Sequence, residues 1–276
     1  MRAFSAPRPK LNFHLILLGF AAAALVVTTG VGGGALMAPA LILGCGMSPP
    51  VAVGTDLIYA ALTKTGALWI YTRRGRVHWR IVLLMLAGSV PATLAASAAL
   101  WLVRGDNIVI YHIVDVSLGG ALCLSSVAIA FGEPIRSLTS TRAGKGPRFD
   151  AISNWVCCHR TVLVVILGVV VGLLVPLSSV GTGAIGVAAL MLLFPSISPS
   201  EIVGTDIAYG LFLAATAGLG HLLLRNIDFG ALSSLLIGMV PGVYVGGLFA
   251  GSLSETVLRP IISLALLGAA VKLFGF

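Results

Sequence analysis

The sequence predicts an all-α polytopic membrane protein, built from about eight transmembrane helices in two tandem four-helix repeats. Two observations lead to this class. The 276 residues are 58% hydrophobic and only 9% charged, more apolar surface than a water-soluble domain can hide. Apolar stretches of about 20 residues, the length that crosses a bilayer as a helix, recur along the chain. They do not alternate apolar and polar residues as β-barrel strands do.

A third observation shows that the chain is a duplicated unit. Val-Gly-Thr-Asp occurs at Val53–Asp56 and again at Val203–Asp206, 150 positions later. Other residues pair at the same offset: Pro49 with Pro199, Tyr59 with Tyr209, Gly88 with Gly238, and Pro91 with Pro241.

Eight spans are predicted, at about 12–46, 50–71, 80–103, 108–131, 161–195, 200–224, 231–250 and 257–275. They group into a first repeat (1–131), a cytoplasmic linker loop (132–160) and a second repeat (161–276). The apolar stretch near the N-terminus is interpreted as a retained helix, because no clear cleavage site follows it.

The basic residues predict the orientation. With the N-terminus inside, fourteen Lys and Arg residues fall on one side and two on the other, so both termini are predicted to be cytoplasmic. A further crossing over Ala35–Gly46 would place Arg73–Arg80 outside and is rejected. An even number of crossings per repeat predicts that both repeats insert in the same orientation, related by an axis along the membrane normal.

The first span of each repeat is too long for one crossing. Residues 12–46 would reach about 50 Å as one helix, against a bilayer core of about 30 Å. Glycine-rich breaks interrupt both spans, at Gly30–Gly34 and Ser178–Gly183. A short helix beginning after such a break can bind an anion at its N-terminus; close helix packing is the alternative. The candidate anion-binding residues are Gly32, Gly33, Gly34, Ser179, Gly181 and Thr182.

Charged residues inside the predicted spans are the other binding candidates. Asp56, Lys64 and Asp206 each cost about 2.5–3.5 kcal/mol to insert. Lys64 is matched by Ala214 in the second repeat. We therefore expect Lys64 to hold the substrate charge and Asp206, or else Asp56, to exchange a proton; a purely structural charge pair is the alternative.

Hydroxyl groups near these charges extend the candidate site. Thr55 and Thr205 recur in both repeats and are candidate donors to an oxyanion. The alternative is that they bond to carbonyls of their own helices.

Other functional classes, such as nucleic-acid-binding proteins, ATP-driven transporters and metalloenzymes, are disfavoured by the sequence. The basic residues flank membrane spans rather than forming a nucleic-acid-binding face, and there is no Walker A motif. Cys157-Cys158-His159 lacks metal-site spacing and is interpreted as part of the linker. His112 and Asp115 are interpreted as a polar contact between helices. No enzyme activity, cofactor or metal is predicted, and the oligomeric state is left open.

Two groups of motifs resemble the TauE/SafE family of sulfite-exporter-like permeases. They are Gly30–Gly34 with Pro39, and Met47–Pro49 leading into Ala52–Thr55; a weaker copy runs from Gly181 through Ser198-Pro199 to Gly204-Thr205. The resemblance implies a multi-pass transporter of the bacterial inner membrane. It also implies export of sulfite, sulfoacetate or a related small anion.

The sequence therefore predicts a secondary active transporter for a small anion, embedded in lipid and with the proton as candidate coupling ion. A passive anion channel and an uptake permease for a sulfur oxyanion are the alternatives.

Overall fold

A computed structural model of the chain describes residues 12–29, 34–103, 107–140, 147–249, 264 and 267–272. Within these ranges the regular structure is helical. The helices are α1 (Phe13–Thr29), α2 (Gly34–Cys45), α3 (Pro49–Arg73), α4 (Trp79–Val103), α5 (Asn107–Ser140), α6 (Pro147–Ser178), α7 (Ala184–Leu193), α8 (Pro199–Leu223) and α9 (Phe229–Leu248). Among the described residues, five helices are long and apolar enough to cross a membrane, and α1 and α2 are shorter apolar helices. These properties indicate a multi-pass membrane protein.

The second repeat contains the break that the sequence predicts. Helix α6 ends at Ser178 and α7 begins at Ala184. The backbone between them has positive φ at Ser179 (56°), Gly181 (142°) and Gly183 (99°), a conformation that glycine adopts without a steric cost. In the first repeat α1 ends at Thr29 and α2 begins at Gly34; the predicted break residues 30–33 lie outside the described residues.

The predicted linker differs from the structure. Residues 132–160 were expected to form a loop, but α5 continues to Ser140 and α6 already begins at Pro147. Once a helix has formed, each added residue gains a backbone hydrogen bond, so a helix can extend beyond the membrane. The eighth predicted span, 257–275, lies largely outside the described residues; residues 267–272 are helical.

Helices α3 and α8, which carry the two Val-Gly-Thr-Asp copies, pack against each other in opposite directions. A Cβ on Gly204 would contact Tyr71, one on Gly218 would contact Ile58, and one on Gly54 would contact the Cβ of His221. Residue numbers fall along α3 as they rise along α8, so these two helices are antiparallel.

The outer helices pair across the repeats, and these pairs are parallel. Along α1 and α9, Gly238 lies against Ile16 and Gly246 against Ala24. Along α4 and α6, Gly168 lies against Met85 and Gly172 against Ser89. In each pair glycine allows the two backbones to approach closely, as is common between membrane helices.

The predicted relation between the repeats is therefore wrong. The Tyr59 hydroxyl donates to the Gly19 carbonyl and the Tyr71 hydroxyl to the Val27 carbonyl (3.1 Å), so α1 and α3 run in the same direction. Helix α2 must lead back between them. Because this return reverses the chain once more in each repeat, the second copy is inverted, and the repeats are related by an axis in the membrane plane.

The inverted arrangement also affects the predicted orientation in the membrane, because that prediction depended on all the basic segments lying on one side. The start of α1 lies beside α9, where the Asn12 amide donates to Ser234 Oγ (3.3 Å). Because α1 and α3 are parallel, the turn that contains Arg73–Arg80 lies at the opposite end of the bundle. The basic residues that precede α1 and those of the Arg73–Arg80 turn cannot all face the cytoplasm. The count of fourteen against two therefore no longer supports two cytoplasmic termini.

Cysteine labelling tests this arrangement. Arg74 and Leu224 are counterparts at the 150-residue offset, each at the C-terminal end of its helix. We expect Arg74→Cys and Leu224→Cys, in a chain whose native cysteines are replaced, to react with an impermeant maleimide from opposite sides of the membrane. Labelling from the same side would contradict the inverted arrangement.

Candidate functional site

Lys64 lies at the centre of the candidate site. Its side chain leaves α3 and reaches the second break, where the ammonium donates a hydrogen bond to Thr182 Oγ1 (2.9 Å). The residue is 1% exposed. Gly210 of α8 provides the space, since a Cβ there would overlap with Lys64 Nζ. One side chain thus links the two repeats.

Asp56 lies on the same helix and contacts the start of the same break. It is fully buried, and Oδ2 accepts a hydrogen bond from Ser179 Oγ (2.7 Å). Ser179 has φ of 56°, which costs a residue other than glycine about 1–3 kcal/mol. This local cost fits a side chain that is held for a specific contact.

Asp206 lies against the N-terminus of α7. The residue is fully buried, and neither carboxylate oxygen has a hydrogen-bond partner of good geometry among the described residues. Oδ1 faces Gly186, where a Cβ would overlap with it. The N-cap residue of α7, Gly183, has no side chain to cap the helix, so the positive end of the helix faces this carboxylate.

The three charges and the second break therefore form one cluster, which we call the central cluster: Asp56, Lys64, Ser179, Thr182 and Asp206. Lys64 lies close enough to both carboxylates to interact with them electrostatically. It forms no direct ion pair with either; the ion pair found between described residues joins His78 and Glu201 (3.7 Å). The five side chains are at most 8% exposed, so the cluster is closed to solvent.

Thr55 and Thr205, which were predicted to bind substrate, make contacts of another kind. Thr55 Oγ1 accepts from the Asp228 amide and Thr205 Oγ1 from the His78 amide, each at 3.0 Å. Each bond joins one repeat to a turn of the other: the turn before α9 for Thr55 and the turn before α4 for Thr205. A Cβ on the preceding glycine, Gly54 or Gly204, would overlap with the carbonyl of the partner turn.

We call these two contacts the first clasp (Gly54 and Thr55 with residues 226–228) and the second clasp (Gly204 and Thr205 with residues 76–78). The Gly and Thr of each Val-Gly-Thr-Asp copy form a clasp, while the Asp of each copy belongs to the central cluster. The second clasp has a further cross-repeat bond, from Arg76 to Ser200 Oγ (2.7 Å). The repeated tetrapeptide thus combines an assembly contact with a buried charge.

The clasp hydroxyls lead to a prediction for stability. We expect Thr205→Val to lower the free energy of unfolding by about 0.5–1.5 kcal/mol, because the partly buried His78 amide would lose its acceptor. Thermal unfolding in detergent measures this change. Thr216→Val is the matched control, since the Thr216 hydroxyl donates only to a carbonyl of its own helix. Equal stability of the two variants would contradict the clasp.

Several other polar residues of the helices bond within the protein. Thr63, Thr65 and Ser178 each donate to a carbonyl four residues earlier in the same helix, as is common for hydroxyl groups in membrane helices. His221 is 1% exposed, with Nε2 bonded to the Pro176 carbonyl (2.7 Å). Its counterpart at the 150-residue offset is Tyr71, whose hydroxyl donates to a carbonyl of α1.

Of the remaining candidate residues, the structure describes some and not others. Gly181 forms part of the second break with positive φ, and Gly34 begins α2. Gly32 and Gly33 lie outside the described residues, as do the side chains of Cys157 and Cys158. Gly210 and Gly186 were not among the predicted site residues. Each provides space for a buried charged side chain of another helix, a role that the sequence does not indicate.

Comparison with known proteins identifies a family and several relatives. The family described as "Sulfite exporter TauE/SafE" matches residues 15–273. Three Bacillus subtilis proteins, each described as a "Probable membrane transporter protein", are similar over most of the chain. YjnA is 32% identical over 263 residues, which are 95% of this chain and 100% of YjnA.

YunE is 24% identical over 243 residues (84% of this chain, 85% of YunE), and YdhB is 23% identical over 250 residues (91% and 95%). No solved structure matches the chain significantly. With a match over nearly its whole length and a relative at 32% identity, the chain belongs to the TauE/SafE family of membrane transporters.

Proposed function

We propose that this membrane transporter is a secondary active carrier for a small anion and that Lys64 holds the substrate charge. The observation that carries the proposal is the position of Lys64, buried between the repeats and bonded to the second break. A cation in the bilayer interior is costly and is usually retained for a function. Sulfite is the first substrate to test, because the family description names a sulfite exporter; sulfoacetate and other sulfur-containing or organic anions follow.

Asp206, with Asp56 as the second candidate, is the proposed proton-coupling group. Two carboxylates share one ammonium, so the central cluster is negative unless one of them binds a proton. An anion enters such a site more easily when a proton accompanies it.

The arrangement of the helices supports a carrier over a channel. Inverted repeats around a central site are typical of carriers that work by alternating access. The central cluster is closed to solvent, as expected for an occluded state, whereas a channel needs a continuous path. Gly32, Gly33 and Gly34 are proposed to complete the site from the first repeat, because they are the counterparts of residues in the second break.

The cellular setting belongs to the same proposal. The carrier is placed in the bacterial inner membrane, with export of the anion as its direction. The turn that contains Arg73–Arg80 is proposed to face the cytoplasm, since basic turns favour that side.

Reconstituted flux tests the proposal. Proteoliposomes are loaded with unlabelled sulfite, sulfate, thiosulfate or a sulfonate, and entry of labelled sulfite is followed. A carrier accelerates entry when the trapped anion is a substrate, because exchange avoids the return of the empty site. Flux that is insensitive to the trapped anion and to an imposed proton gradient would indicate a passive channel instead.

A further inference from the structure

The carboxylate of Asp206 occupies the kind of position that a bound anion would take. It is fully buried and faces the N-terminus of α7, a ten-residue helix. Its oxygens lack hydrogen-bond partners of good geometry among the described residues. Lys64 is the cation that interacts with it electrostatically. A helix N-terminus and a lysine are the two groups that usually hold an oxyanion.

Asp56 differs from Asp206 in this respect. Its Oδ2 accepts the Ser179 hydrogen bond (2.7 Å), and only Oδ1 lacks a partner among the described residues. Asp56 is therefore held by a side-chain donor that stays in place. Asp206 has no such donor and is the carboxylate that a competing anion can replace.

We propose that Asp206 acts as a tethered anion: it fills the site between Lys64 and the N-terminus of α7, and it must bind a proton before a small oxyanion can take its place. This inference rests on the proposed function. It adds the order of events, in which the proton neutralises the internal carboxylate and the substrate then binds to the same two partners.

The charges around Asp206 support this competition. The titratable groups that interact with the carboxylate are Lys64 and, on its own helix, Tyr209. Asp56 interacts with the same Lys64. Among the described residues, α4, α6 and α7 place no further ionised group beside it. An anion that entered with both aspartates ionised would face two negative charges and one positive. A proton on Asp206 restores balance between Asp56 and Lys64 and leaves the α7 N-terminus unoccupied.

The competition fixes how the two fluxes are coupled. Proton and anion must move in the same direction, because the site accepts the anion only with its proton. An inward proton gradient would then drive uptake of the anion, and an outward gradient would drive export. In a membrane whose proton gradient points inward, export by this coupling therefore requires an outward anion gradient that outweighs the proton gradient.

Binding of a labelled sulfonate to the purified protein tests the inference, over about pH 5 to 8. A sulfonate keeps one negative charge over this range, whereas sulfite itself takes up a proton near neutral pH, so only the proton bound by the protein is measured. We expect the apparent affinity of the wild type to fall by up to about tenfold per pH unit at the alkaline end, since one proton is bound with the anion. Asp206→Asn should bind the sulfonate with little pH dependence, at least as tightly as the wild type does in acid. Asp115→Asn, which changes an aspartate on α5, is the matched control and should retain the wild-type pH dependence.

A second measurement uses the wild type alone, so the test does not depend on the folding of a variant. The same sulfonate added outside proteoliposomes that contain a pH-sensitive dye should acidify the interior through the carrier. Sulfonate binding by Asp206→Asn with wild-type pH dependence, or sulfonate entry without proton entry, would overturn the tethered-anion inference and leave the carrier proposal standing. If none of the anions in the flux panel binds at any pH, both fail.

Discussion

Replacing Lys64 with alanine is expected to weaken anion binding by about tenfold to a hundredfold. A hydrogen bond to a charged partner contributes about 1.5–3 kcal/mol, and each 1.4 kcal/mol is about tenfold in Kd. Among the described residues Lys64 is the cation that acts on both buried carboxylates, so its loss also leaves the central cluster with uncompensated negative charge. Labelled sulfite binding and counterflow measure the loss.

Two further variants separate the charge from the fold. Lys64→Gln keeps a donor for Thr182 but removes the charge, so it should remain folded and still bind poorly. Lys272→Ala removes an exposed lysine and is the matched control, with wild-type affinity expected. If Lys64→Ala and Lys64→Gln both bound sulfite within about twofold of the wild type, a difference worth only about 0.4 kcal/mol, the assignment of Lys64 would be wrong.

The second large effect is expected from alanine at a clasp glycine. In Gly204→Ala the new Cβ would overlap with the Arg76 carbonyl oxygen and lie 2.9 Å from Tyr71 Cδ1. The carbonyl belongs to the backbone of the other repeat and cannot move aside alone. We expect a loss of about 1–3 kcal/mol or more in the free energy of unfolding. Gly54→Ala should behave alike, because a Cβ there would overlap with the Asn226 carbonyl.

The control for both variants is Gly120→Ala in α5. A Cβ at Gly120 meets nothing within 4 Å, and alanine in a helix interior is favoured over glycine by about 0.5–1 kcal/mol. Thermal unfolding of the three variants in the same detergent should therefore show two lowered midpoints and one that is unchanged or raised. A midpoint for Gly204→Ala that equals that of Gly120→Ala would show that the repeats do not meet at the second clasp.

Several features of the fold follow from local sequence. Apolar composition and apolar stretches of helical length predict membrane helices, because a backbone in lipid must satisfy its own hydrogen bonds. The glycines of the second break predict an interruption between α6 and α7, because they permit positive φ. Asp56, Lys64 and Asp206 are recognised as candidates from their cost in a bilayer. These inferences need only the residues of one segment and the solvent around it.

The direction of the second repeat could not be read in this way. Hydropathy merges α1 and α2 into one predicted crossing, over residues 12–46. Counting one crossing too few reverses the predicted relation between the repeats. Only the packing of Gly54 and Gly218 of opposite repeats against their partners shows that α3 and α8 are antiparallel. The number of times a chain turns inside the membrane depends on contacts between distant segments, which hydropathy does not record.

The sequence by itself determined the class of the protein, its duplication and the chemistry of its buried charges. Tertiary structure decided how those charges are used. In the folded protein Thr55 and Thr205 accept hydrogen bonds in the clasps. Lys64 donates to Thr182, and Asp206 lies against the N-terminus of α7. The reason is physical: the cost of a charge in lipid depends on the residue type, but its partners depend on which distant backbone and side-chain groups the packed helices bring within hydrogen-bond distance.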